Sequence, residues 1–203
     1  LLPLGACDPR PPGHLHDNDC AVTTSHQEEF ALLARAAEGD HDAFTRVMKT
    51  HEDRIFAVCM RMLADREAAL DVTQETFITA FRKAHQFKGN SAVGTWLYRI
   101  AVNNCYDHLR RNKRKPADSL PEHFDQADPF ATEAVEASAH RKEIEEALAS
   151  LPKEYRAAVI LADMEGMSLP EVAQALGVPV GTVKSRLFRG RRMLAERLGE
   201  PNG

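Results

Sequence analysis

No uninterrupted apolar stretch in this 203-residue chain approaches the ~20 residues that a membrane-spanning helix needs, and no charged region followed by an apolar core opens it. Neither membrane insertion nor export is expected, which leaves the cytoplasm as the expected location. Cysteine is equally sparse. Cys7, Cys20, Cys59 and Cys105 lack the paired spacing of a zinc ribbon, and Cys59 and Cys105 fall inside helical patterns as small hydrophobes. Cys7, His14, His16 and Cys20 stand at irregular intervals among prolines and glycines, so neither a metal nor a cofactor is expected there. The chain also lacks a glycine-rich phosphate loop and an HExxH spacing. His51, Glu52 and Asp53 are consecutive and form no acid–base or metal set, so an enzyme is not expected. Aromatic residues make up only 6%, with Trp96 the single tryptophan, and no stretch alternates with the period of a strand. What remains is an all-α reading.

A net charge of −4 does not favour a polyanionic partner, but the charges are segregated along the chain. Arg99, Arg110, Arg111, Lys113, Arg114 and Lys115 make one basic block, and Lys184, Arg186, Arg189 and Arg192 make another. Between them lie Asp118, Glu122, Asp125, Asp128, Glu133 and Glu136. Blocks of opposite sign imply separate surfaces for separate partners.

Residues 1–25 hold Pro3, Pro9, Pro11, Pro12, Gly5 and Gly13 without apolar periodicity and are expected to be a disordered tail, with Val22 a candidate start of the native protein. Helical periodicity runs from about Glu28 to Gly39 through Phe30, Leu32, Leu33 and Ala36. Asp40 caps a longer helix to about Leu63, and Asp65 caps a third that carries Leu70, Thr73, Phe77, Ala80 and Phe81 to about Phe87. Lys88–Ser91 breaks the pattern, and a fourth helix follows to about Arg111 on Val93, Trp96, Leu97, Ile100, Ala101 and Leu109. These four helices form one small domain, residues 26–112. Residues 113–131, with Pro116, Pro121 and Pro129, read as an acidic linker, and residues 132–199 as a second helical domain.

The second domain ends in SLPEVAQALGVPVGTVKSRLFRGRR at 168–192, two short helices across a tight turn. Ser168 and Glu171 have the spacing of a capping box, Gly177 suits a left-handed helix end, and Pro179 stops the first helix from resuming. On the second helix Val183 and Leu187 face inward, leaving Thr182, Lys184, Ser185, Arg186, Phe188, Arg189 and Arg192 outside. Arginine and lysine neutralise phosphates or fork onto guanine edges, and serine and threonine donate to either. This surface suits DNA.

Taken with DVTQETF at 71–77 and TWLYRIA at 95–101, in that order before GTVKSR at 181–186, the chain resembles a bacterial RNA polymerase sigma factor of the extracytoplasmic-function (ECF) class. Within the class it is similar to the actinobacterial SigM-type factors. The resemblance implies that the first domain is sigma region 2 and the second sigma region 4. It implies RNA polymerase core as partner through its β′ and β subunits, with Asp71, Gln74, Glu75 and Phe77 meeting the β′ coiled coil. It also implies promoter DNA, single-stranded at the −10 element and double-stranded at the −35 element, and an anti-sigma factor. The −10 contacts fall on Lys88, Asn90, Ser91, Trp96, Arg99, Asn103, Arg110 and Arg111, and the −35 contacts on the exposed set of the last helix. Gly89 in the −10 loop would permit close backbone approach, whereas helical spacing places Trp96 on a core face. Few aromatics line the promoter-reading helix, so a closely matched promoter is expected. The rival reading is a stand-alone helix-turn-helix regulator that binds its site without polymerase.

Overall fold

The computed structural model describes residues 17–112 and 143–199, with side chains from residue 26 in the first segment, and every regular element among them is helical. The expected acidic linker, residues 132–142, and the side chains of Cys7, His14, His16 and Cys20 lie outside the described set.

Four helices build the first bundle: α1 (Asp17–Ala37), α2 (His41–Leu63), α3 (Arg66–Lys83) and α4 (Val93–Asn112). Local chemistry fixes where they begin. The Asp40 carboxylate accepts from the Ala43 N–H at 2.9 Å, and the Asp65 carboxylate from the Ala68 N–H at 2.9 Å. Each satisfies an amide with no partner inside its own helix. α2 closes on Ala64, a non-glycine residue at φ 55°. α1 starts earlier than its periodicity suggests, inside the stretch read as tail; no proline or glycine stands between Gly13 and Gly39 to stop it. Leu33, Val47, Ile55, Val58, Cys59, Met62, Val72, Leu97, Ala101 and Cys105 fill the bundle's interior. Both cysteines are fully buried, as expected.

The second unit comprises α5 (residues 143–150), α6 (Lys153–Val159), a π turn over Ile160–Met164, α7 (Leu169–Leu176) and α8 (Val180–Leu198). Glu171 accepts from the Ser168 N–H at 2.8 Å and from its hydroxyl at 2.6 Å, within the expected capping box. Gly177 ends α7 at φ 64°, and Pro179 sets the extended backbone from which α8 starts. Val183 and Leu187 are buried, and Gly190 lets α8 lie close on α6.

The two bundles share one continuous apolar core. α7 packs on α4, and the π turn faces α2. A polar set ties this seam. Glu165, its side chain only 6% exposed, accepts from Arg61 at 2.9 Å and from the Tyr98 hydroxyl at 2.7 Å, with Arg54 4.0 Å away. Burial, then the bond to Glu165, pushes the Tyr98 hydroxyl well above its ordinary pKa. Arg156 donates to the Met62 carbonyl at 2.6 Å, satisfying an orphan acceptor at the end of α2, and also to the carbonyls of Ala149 and Leu151. The two helical units are therefore packed together.

Candidate nucleic-acid interface

Three surfaces carry the residues singled out by sequence. The first lies on α8. Lys184, Ser185, Phe188, Arg189 and Arg192 are exposed, whereas Thr182 and Arg186 are half-buried. Phe188 stands out at 68% exposure, because Val183 and Leu187 already occupy the inward face. Neighbouring groups aim three arginines: Arg189 donates to the Tyr155 hydroxyl at 3.3 Å, Arg191 forks onto Asp163 at 2.5 and 3.0 Å, and Arg192 lies 3.4 Å from Glu196. Exposed pairs of this kind are weak and screened by solvent, so a phosphate can displace them cheaply. Lys184 pairs with no carboxylate among the described residues.

The second surface is the turn between α3 and α4. A 3-10 turn at Ala84–Gln86 ends α3, and Phe87–Ala92 then crosses to α4. Lys88 and Asn90 are exposed, Ser91 is half-buried, and Gly89 has φ 72°. Arg99, Asn103, Arg110 and Arg111 continue outward along α4. Trp96 is half-buried and meets Phe87 at 5.1 Å between ring centroids, and Phe87 meets Phe30 at 5.9 Å. At Gly89 the left-handed φ favours glycine, and the Phe30 ring would also sit 2.9 Å from an added Cβ. From the second bundle Gln174 donates to the Asn90 carbonyl at 2.9 Å.

The third surface is the outer face of α3. Asp71, Gln74 and Glu75 are exposed, and Glu75 lies 3.6 Å from Arg111. Phe77 corrects the expectation: it is 6% exposed and part of the core, so it does not present itself to a partner. Leu70 and Ile78, at 49% and 45% exposure, hold the apolar positions on that outer face instead. Their spacing with Gln74 is the legible signal, four residues each way on one helical stripe. Among the described residues no group of three or more His, Cys, Asp or Glu is placed to hold a metal, and no helix is long and apolar enough to cross a membrane.

The family profiles for sigma-70 region 2 and sigma-70 region 4 match residues 47–115 and 141–194. The chain is 38% identical over 176 residues to the ECF RNA polymerase sigma factor SigM of Mycobacterium tuberculosis, covering 87% of each. The chain belongs to the ECF sigma factors. This sigma factor is also 38% identical over 170 residues to SigE of Mycolicibacterium smegmatis, covering 81% of itself and 66% of that relative. Its fold matches that of CnrH, solved in complex with the cytosolic domain of CnrY, with a TM-score of 0.65 and 25% identity over 86% of this chain and 99% of that one. As a sigma factor it binds RNA polymerase and directs initiation to specific promoters, so the rival reading of a stand-alone regulator falls away. The order of the sequence motifs is the order of the three surfaces along the fold: α3, then α4, then α8.

Proposed function

We propose that residues 26–112 act as region 2, residues 132–199 as region 4, and residues 113–131 as the tether, with each of the three surfaces meeting one part of the initiation complex. The outer face of α3, with Asp71, Gln74 and Glu75 flanked by Leu70 and Ile78, docks on the β′ coiled coil. An apolar pair among charged and amide groups suits a partner helix: burial supplies affinity and the polar rim supplies register.

Opening the promoter takes a −10 base out of the duplex at a cost of a few kcal/mol. The exposed turn at 87–91 receives that base, where Asn90 offers donor and acceptor together, Ser91 adds a hydroxyl and Lys88 holds a phosphate. Arg99, Asn103, Arg110 and Arg111 guide the strand along α4. Trp96, half-buried against Phe87, serves as the floor of this site. Lys184, Ser185, Phe188 and Arg189 read the −35 bases, while Thr182, Arg186 and Arg192 hold phosphates.

The factor works in the cytoplasm, carries out no chemistry itself, and is held by an anti-sigma protein. CnrH, of similar fold, is solved bound to the cytosolic domain of a second protein, CnrY, which supports a protein partner by analogy. The observation that carries the whole reading is that the exposed cationic face of α8 and the exposed turn before α4 fall within the two matched sigma regions. Transcription from genomic fragments by core polymerase with added factor tests it, with the RNA 5′ ends mapped. Start sites sharing −10 and −35 sequences are expected, and starts scattered as they are with core alone would refute it.

A further inference from the structure

We infer that Phe30 and Glu29, on α1 and outside the region 2 match, are positioning residues for the −10 turn and the first turn of α4. The inference rests on the reading of the 87–91 turn given above. A turn that must hold a displaced base should keep one shape before the base arrives, or the binding energy goes into ordering it. This turn has little of its own to fix it. Its backbone is tied at the start, where the Phe87 N–H donates to the Ala84 carbonyl at 3.1 Å, and by Gln174 at the Asn90 carbonyl, a bond from the other bundle.

α1 supplies the rest. The Phe30 ring lies under Gly89, so close that a Cβ there would fall 2.9 Å and 3.3 Å from two ring carbons. It also packs on Phe87, which passes the contact to Trp96 at the start of α4. A large apolar side chain left 43% exposed gains less from burial than a core residue, and its place is explained by the turn it supports. One residue earlier, Glu29 lies 3.3 Å from Nε2 of His51, a buried ring on α2. That ring presses against Gly94 in the first turn of α4, with Cε1 3.2 Å from where a Cβ would be. Adjacent residues of α1 thus brace both ends of the segment that faces the −10 strand.

Trp96 is the only tryptophan, so its fluorescence reports on this brace without polymerase. In the free full-length chain, Phe30→Ala should shift Trp96 emission to the red and increase its quenching by acrylamide. In holoenzyme, Phe30→Ala should slow opening of a duplex promoter about threefold to tenfold, the range one aromatic pair is worth. It should change initiation by less than about twofold on a template whose −10 element is already unpaired. Phe30→Tyr should restore the duplex rate. Equal losses on both templates would mean that Phe30 only stabilises the fold and would overturn the inference, as would an unchanged Trp96 spectrum. If the wild-type factor opened no promoter with core, the functional reading would fall. The Trp96 measurement would still decide whether α1 shapes the turn.

Discussion

Replacing Gly190 by alanine sets two known effects against each other where α8 rests on α6. In a helix interior alanine is preferred over glycine by about 1 kcal/mol, so Gly190→Ala should stabilise the chain if nothing else matters. The structure says that something does. A Cβ at 190 would lie 2.8 Å from Cγ2 of Val159, 3.5 Å from Cβ of Tyr155 and 3.6 Å from the Tyr155 carbonyl oxygen. Val159 is buried and β-branched, with little rotamer freedom to move aside. Overpacking of this kind costs about 1–3 kcal/mol, which offsets the propensity gain and leaves a net loss of up to about 2 kcal/mol. Gly181, in the first turn of the same helix, has nothing within 4 Å of its Cβ position. Gly181→Ala should therefore stabilise by a few tenths to about 1 kcal/mol. Urea unfolding followed by far-ultraviolet circular dichroism, with the slope unchanged between variants, measures both. A Gly190→Ala protein as stabilised as Gly181→Ala would refute the proposed contact between α6 and α8.

Arg192→Ala should lower the slope of log affinity against log salt for −35 duplex by about 0.9 with little change in sequence preference. Lys184→Ala should instead cost about 1–3 kcal/mol at its own base position, so equal salt slopes and equal specificity losses would sink the assignment. Phe77→Ala should destabilise the fold by about 3–5 kcal/mol, whereas Leu70→Ala and Ile78→Ala should stay within about 0.5 kcal/mol yet weaken capture by core polymerase in a pull-down. Contact with the His51 ring, working against burial, holds the Glu29 carboxyl below its ordinary value of 4.5. A depressed carboxyl pKa stabilises the fold above that ordinary value and stops doing so as pH falls through the folded-state value. The stability gap between wild type and Glu29→Gln should therefore close as pH falls below 4.5, and a gap that widened in acid would contradict this.

Features set within one turn of helix were legible in the sequence. Asp40, Asp65, Ser168 with Glu171, and Gly177 act on amides or carbonyls at most a few residues away, so residue type and spacing determine their roles. The inward faces of α4 and α8 were legible for the same reason, and Trp96 lies at the core's edge against Phe87. The outer face of α3 was not. Leu70 and Phe77 are both apolar in a pattern that allows either to point inward, and packing against α2 and α4 buries Phe77 while leaving Leu70 outside. The π turn, and the meeting of Glu165 with Arg61 and Tyr98 across separations of 104 and 67 residues, depend on how the bundles lie together. No local pattern encodes that. Gly89 shows the middle case: its need for a bare backbone was visible, whereas its left-handed φ of 72° and the Phe30 ring beside it were not.

This sigma factor directs initiation to specific promoters as part of a larger enzyme. The most direct measurement is a gel shift of promoter DNA by the chain alone and by the chain with core polymerase at the same concentration. A stable shifted complex that needs both, and that is lost when the −10 element is scrambled, is the expected result. Equally tight binding by the chain alone would contradict the account.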